Sequence, residues 1–150
     1  MSLKDALNDK LDLPGVDSGP VEVEASGGKA EVELVEVGPI GARVKRVKVS
    51  VTDSAPLGAQ ASGICERLRG LGERLVPVEV DDRLGGGVLR TDPGEMQGRR
   101  YYEVGLDGDS ATVERYRALD DGGREQEDFT VTRDQLGRMI DDLSEGLSDP

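Results

Sequence analysis

Leu57, Ala61, Ile64, Leu68, Leu71 and Leu75 recur at alternating steps of four and three, which places them in one stripe on a 3.6-residue helix. The spacing predicts a helix over Pro56–Leu75, with Ser54 as a capping candidate and Pro56 in the first turn, where no N–H is needed. Gly58, Gly63, Gly70 and Gly72 weaken it, each costing about 0.8–1 kcal/mol against Ala in a helix interior. Such a helix needs tertiary support. A second stripe, Leu136, Met139, Ile140, Leu143 and Leu147, follows Thr132-Arg133-Asp134-Gln135, which has the form of a capping box. Leu3, Ala6, Leu7 and Leu11 predict a short N-terminal helix, marginal by itself, ended by Pro14-Gly15.

Between the stripes the period changes to two. Val21–Ala25, Ala30–Val37 and Ile40–Thr52 read as a three-stranded meander. In the third strand Ile40, Ala42 and Val44 share one parity and Val47, Val49 and Val51 the other. This predicts a bulge near Lys45-Arg46, because one extra residue reverses the faces. Glu31, Glu33 and Glu36 would lie opposite Arg43, Lys45, Arg46 and Lys48 if these strands are antiparallel. The basic run then reads as a solvated sheet face rather than a partner-binding patch.

After the long stripe come Val76–Val80, whose Pro77 implies an edge or a strand start, and then Val88–Arg90, Tyr101–Leu106, Ala111–Leu119 and Glu125–Val131. A four-residue loop Asp107–Ser110 would oppose Leu106 to Ala111, Val104 to Val113 and Tyr101 to Tyr116. Tyr102 would fill the core while the tyrosine pair braces the hairpin; an exposed Tyr101 beside Arg99 and Arg100 would instead mark a binding face. The fold class expected is α+β: an antiparallel β-sheet of five to seven strands with two long helices packed on one face. The expected core is Leu57, Ile64, Leu68, Leu71, Val47, Val49, Val104, Leu106, Met139, Ile140 and Leu143. The whole of 1–150 is expected to form a single domain, with a short helix and loop over 1–19 and a frayed end at 148–150.

Composition narrows the functions. At 35% hydrophobic and 3% aromatic over 150 residues, the core must be aliphatic. A net charge of −12 argues against nucleic acid or an anionic membrane as partner, since both need clustered Lys and Arg. The chain has no histidine, which removes the commonest general base and zinc ligand. Its one cysteine, Cys65, sits beside the helix stripe and reads as a small core residue. The first residues hold no continuous apolar run, and no stretch is long enough to span a bilayer, so the chain reads as soluble and cytoplasmic.

Four candidate sites remain. Gly85-Gly86-Gly87 invites a phosphate-loop reading, but Val88-Leu89-Arg90 follows instead of Lys-Ser/Thr and a helix, so a turn explains it better. Gly70-Leu71-Gly72 lacks the third glycine of a dinucleotide fingerprint and lies inside the predicted helix. Asp107, Asp109 and Glu114 suggest a calcium loop, but Ala111, Thr112 and Ala118 stand where its later ligands and glycine belong. The acidic doublets Asp81-Asp82, Asp120-Asp121 and Asp141-Asp142 could pair as carboxylates for glycoside hydrolysis, though a sugar platform is largely missing, with no Trp and one Phe, Phe129.

The completed element order (short helix, three antiparallel strands, long helix, more strands, amphipathic C-terminal helix) resembles the Tir-chaperone type of α+β fold of class I type III secretion chaperones. Size, acidity and the stripe Leu136, Met139, Ile140, Leu143, Leu147 are similar too. The second group of strands exceeds that family's usual two. The resemblance implies homodimerisation, binding of an extended partner segment along the sheet, and no catalysis; it assigns no site residues. With catalytic equipment missing and apolar stripes that could serve a partner, the function expected is a non-enzymatic protein-interaction module, chaperone-like, with a protein partner, no cofactor, no metal and no catalytic residue. The alternative is a carboxylate-based enzyme or small-ligand-binding domain using the acidic doublets and Gly85–Gly87.

Overall fold

The computed structural model describes residues 2–25, 27–71, 73–91 and 99–148. Along them run α1 (Leu3–Leu11), β1 (Gly19–Ala25), β2 (Gly28–Val37), β3 (Gly41–Val51), α2 (Leu57–Arg67), β4 (Leu75–Asp81), β5 (Gly86–Thr91), β6 (Arg100–Leu106), β7 (Ser110–Ala118), β8 (Arg124–Glu127), β9 (Phe129–Thr132) and α3 (Arg133–Ser148). The fold is α+β, and all strand pairings are antiparallel.

Seven strands form one path in the order β1-β2-β3-β7-β6-β5-β4, and two more attach to it. The expected five to seven strands thus become nine among the described residues. The extra ones arise because the predicted strand Glu125–Val131 changes partner midway. β3 and β7 pair only over Val47–Ser50 and Ser110–Val113 and then part. Into that fork go β8, paired with β7, and β9, paired with β3. Gln126 Nε2 donates to the Lys45 carbonyl at 3.2 Å and ties the wedge across the fork.

The bulge in β3 falls where parity placed it. Glu33 opposes Arg46 and Leu34 opposes Val44, so Lys45 is the extra residue, and Val44 and Val47 are both fully buried. It separates the half of β3 that pairs with β9 from the half that pairs with β7, where added twist lets one strand serve two partners. The expected hairpin register also holds: Leu106 opposes Ala111, Val104 opposes Val113 and Tyr101 opposes Tyr116. β3 starts one residue later than expected. Ile40 lies outside it with 80% of its surface exposed, while its carbonyl accepts the Arg133 N–H at 2.8 Å.

The expectation of two long helices on one face is corrected. α2 ends at Arg67 after 11 residues, whereas α3 runs for 16 and is the only long helix among the described residues. Leu68 turns the chain out of the helix at φ −83°, ψ 86°, and Leu75 opens β4. The apolar spacing misled because Leu68, Leu71 and Leu75 are buried all the same, but from a turn and a strand. Two glycines in the next five residues remove the propensity that could have carried a helix onward. Ser54 does not cap α2 either: Pro56 holds the cap position with no side-chain bond to the helix.

α3 packs on β3, β7 and β9, α1 on β1 and β2, and α2 on β4 and β5, with α3 touching both other helices. Its start is a complete capping box: Gln135 N–H donates to Thr132 Oγ1 at 3.0 Å and Thr132 N–H donates to Gln135 Oε1 at 2.9 Å. Short α1 is held against α3 by polar contacts at both ends. Lys4 N–H donates to Asp141 Oδ1 at 3.1 Å, Lys4 Nζ meets Asp134 at 2.8 Å, and Arg133 meets Asp12 at 2.9 Å. All eleven expected core residues are buried, together with Phe129 and the leucines of α1. No helix among the described residues is long and apolar enough to cross a membrane.

Candidate functional site

The glycine run predicted as a candidate loop serves a hairpin. Asp81 Oδ1 accepts the N–H groups of Arg83 at 3.0 Å and Leu84 at 3.4 Å, and Gly85 turns at φ +71°. A Cβ on Gly87 would lie 2.8 Å from the Glu79 carbonyl oxygen, so the two strands approach too closely for any other residue. β5 starts at Gly86, so the glycines lead into a strand and not into the helix that a phosphate loop requires. The Gly70-Leu71-Gly72 fingerprint lies after α2, and Gly72 is outside the described residues.

The acidic doublets sit on different elements, and several of their carboxylates are occupied by the backbone. Asp81 holds its turn, Asp121 Oδ1 accepts the Gly123 N–H at 2.8 Å between β7 and β8, and Asp141 caps the start of α1. Asp142 differs: burial raises its pKa, and the neighbouring Glu145 and Asp141 carboxylates add to this. Among the described residues no three His, Cys, Asp or Glu side chains gather to hold a metal. The proposed calcium loop is the tight β6–β7 turn, in which Asp107 N–H donates to the Ser110 carbonyl at 3.0 Å, while Glu114 faces Arg46 at 3.5 Å. The Cys65 thiol is half-buried, and that burial pushes its pKa up, away from the reactive thiolate.

Tyr101 braces the sheet. It is 6% exposed, stacks on Tyr116 with ring centroids 5.9 Å apart, and lies under the Arg90 guanidinium at 5.5 Å. Arg124 covers Tyr116 at 3.9 Å and pairs with Glu103. Tyr102, of the opposite parity, meets Phe129 edge-on at 5.3 Å beside the core. The basic run of β3 is largely matched across the strands: Arg46 lies 3.4 Å from Glu33, Arg43 lies 3.8 Å from Glu36, and Lys48 opposes Glu31.

A different feature stands out on the surface. β4 ends the sheet path, so among the described residues one side of its backbone has no strand beside it. Val76, Val78 and Val80 along it are 47%, 51% and 37% exposed, and Leu84 in the following turn is 82% exposed. In the sequence Pro77 implied an edge or a strand start, and β4 is the end of the path; the exposure of its valines has no signal there. A register shift between Pro77 and Glu79 leaves Val78 as a bulge. The opposite edge, β1, is built differently: its exposed positions are Pro20, Glu22 and Glu24, which discourage pairing.

The chain matches no protein-family model, no curated protein and no solved structure.

Proposed function

We propose that this protein is a non-enzymatic interaction module that takes an extended segment of a partner protein as an added strand along β4. The observation that carries this reading is the apolar edge Val76, Val78 and Val80, continued by Leu84. Strand addition draws affinity from main-chain hydrogen bonds and specificity from alternate side chains, and β4 offers both. Pro77 removes one donor from that edge, which suits a reversible partner better than a permanent one. Glu79, Asp81 and Asp82 lie among the apolar residues on a chain of net charge −12, so the matching segment is apolar and carries Lys or Arg. The resemblance to Tir-type secretion chaperones points the same way, to an extended partner along a sheet and to a chaperone-like, homodimeric protein. The alternative, a carboxylate enzyme or ligand-binding domain, draws less support, because the doublets and Gly85–Gly87 act mainly in turns and caps.

The test is capture from lysate by the full chain beside its Val78→Lys variant, with hydrogen exchange along β4. Exposed Val78 tolerates Lys within about 0.5 kcal/mol, so the variant keeps its fold. The expected result is a retained protein that protects the Val76–Asp81 amides and is lost from the variant. A partner held equally by both, or β4 amides left unprotected, sinks the proposal. A concentration-dependent dimer that Val78→Lys abolishes would make a second copy the occupant.

A further inference from the structure

The bulge in β4 decides which side chains its open edge presents to each face of the sheet. Pro77 opposes Leu89, Glu79 opposes Val88 and Val80 opposes Gly87, so Val78 is the extra residue. An extra residue reverses the faces of everything beyond it. Without it Glu79 would share a face with Pro77. With it, Pro77 and Val80 lie on the helix side and Glu79 on the other. Pro77 heads a cross-strand row of Leu89, Val104, Val113 and Val47, all fully buried. Val80 heads the row Gly87, Leu106, Ala111 and Val49, the last three of them in the same core. Two rows of the core thus run out to β4 and end there on exposed apolar residues.

Glu79 stands between those two row ends, on the face away from the helices. Elsewhere on that face the glutamates are matched across strands: Glu33 and Glu114 both reach Arg46, and Glu103 reaches Arg124. Glu79 is exposed and has no ion pair among the described residues. Its row continues inward through Val88, Gly105 and Thr112, so the first cation in it is Lys48, four strands away. The one position free to hold a neighbouring counter-charge is on the outer side of β4.

We infer that the strand added along β4 is amphipathic, with two apolar residues flanking a lysine or arginine. The apolar pair prolongs the core rows beside Pro77 and Val80, and the cation between them meets Glu79 on the opposite face. Residues directly opposite on neighbouring strands have Cβ atoms about 4.5–5.5 Å apart, within reach of such an ion pair. The order apolar–basic–apolar reads the same in both directions, so it serves a parallel or an antiparallel addition. This inference rests on the β4 reading above and names the chemistry of the segment that reading requires.

The test is fluorescence anisotropy of labelled, capped peptides on the full chain at low salt, where exposed charge pairs are least screened. One peptide carries Ile-Lys-Ile between Ser and Gln flanks, the other Ile-Glu-Ile. The parent chain is expected to bind the Lys peptide about three-fold or more tightly than the Glu peptide, and Glu79→Lys to reverse that order. A reversal cannot come from a variant that has merely lost its fold. Hydrogen exchange on the parent with the Lys peptide is expected to protect the Val76–Asp81 amides. Equal affinity of the parent for both peptides, or an order that Glu79→Lys leaves unchanged, overturns the inference; β4 amides protected all the same would leave strand addition standing. No binding of either peptide up to about 1 mM also overturns it, and a lysate partner that still protects β4 would then show that the edge takes a strand of different chemistry.

Discussion

Gly63 of α2 and Gly146 of α3 meet where the two helices cross: a Cβ on Gly63 would lie 3.4 Å from the Gly146 Cα, and one on Gly146 would lie 2.5 Å from Ile64 Cγ1 and 3.1 Å from the Ile64 backbone nitrogen. A glycine that weakens α2 in isolation is therefore part of what docks it. Gly137 plays a similar part toward α1, where an added Cβ would meet Lys4 Cγ at 2.5 Å. The expected result is that Gly146→Ala destabilises by about 1–3 kcal/mol through overpacking. Gly58→Ala, with nothing within 4 Å, should stabilise by about 0.4–1 kcal/mol. Urea denaturation reads both, and the reverse order would mean that the helices do not cross at this point.

Gln60 should act as a polar lock. Fully buried in α2, its Nε2 donates to the Gly108 carbonyl at 2.6 Å and to the Leu147 carbonyl at 3.3 Å, joining the β6–β7 turn to the end of α3. Leu147 also accepts the Ala55 N–H at 2.7 Å. Gln60→Leu leaves the Gly108 carbonyl without this donor and should cost about 1–3 kcal/mol. Faster hydrogen exchange at the Ala55 amide should accompany the loss. An unchanged denaturation midpoint would show that the lock is not needed.

The capping box at the start of α3 predicts a smaller effect. Thr132→Ala removes the oxygen that accepts the Gln135 N–H and should cost about 1 kcal/mol. Thr130→Ala, two residues earlier on exposed β9 surface, serves as the comparison and should stay within about 0.5 kcal/mol. Equal losses in the two variants would argue that the cap contributes nothing.

Asp142 and Asp134 should respond to pH in opposite senses. Burial raises the Asp142 pKa above its ordinary 3.8, with Glu145 and Asp141 adding to the rise and Arg138 and Arg67 opposing it. The folded state thus holds this proton more tightly than the unfolded chain. Its stabilising share is complete in acid below the unfolded value and is lost as pH rises through the folded one. Asp142→Asn should therefore raise the melting temperature at neutral pH and leave it unchanged in strong acid. Asp134 is lowered by its hydrogen bond to Lys4, with help from Arg138. Its contribution is present above the unfolded value and disappears as pH falls through the lowered one, so Asp134→Asn should lower the melting temperature at neutral pH and lose that effect in acid. Parallel pH profiles for the two variants would contradict this assignment.

Local pattern alone determined much of this protein. The Val/Glu alternation of β1 and β2 specified strands, because a pleated chain presents alternate residues to opposite sides. The parity change at Lys45 specified a bulge, the Asp107–Ser110 loop specified a register, and Thr132 with Gln135 specified a helix start. Each depends on residues close in sequence, whose geometry is set by short-range sterics and hydrogen bonds. Tertiary structure decided what depends on distant chain. Leu71 and Leu75 are buried whether they extend a helix or leave it, so spacing could not locate the end of α2. The transfer of the chain at Asp128 from β7 to β3 follows from the fork between two distant strands. The exposure of Val76, Val78 and Val80 follows from β4 standing last in the described sheet path, and the close approach of Gly63 and Gly146 from α2 and α3 lying side by side. Strand order and helix docking are global minima of burial, and the residues that set them lie far apart along the chain.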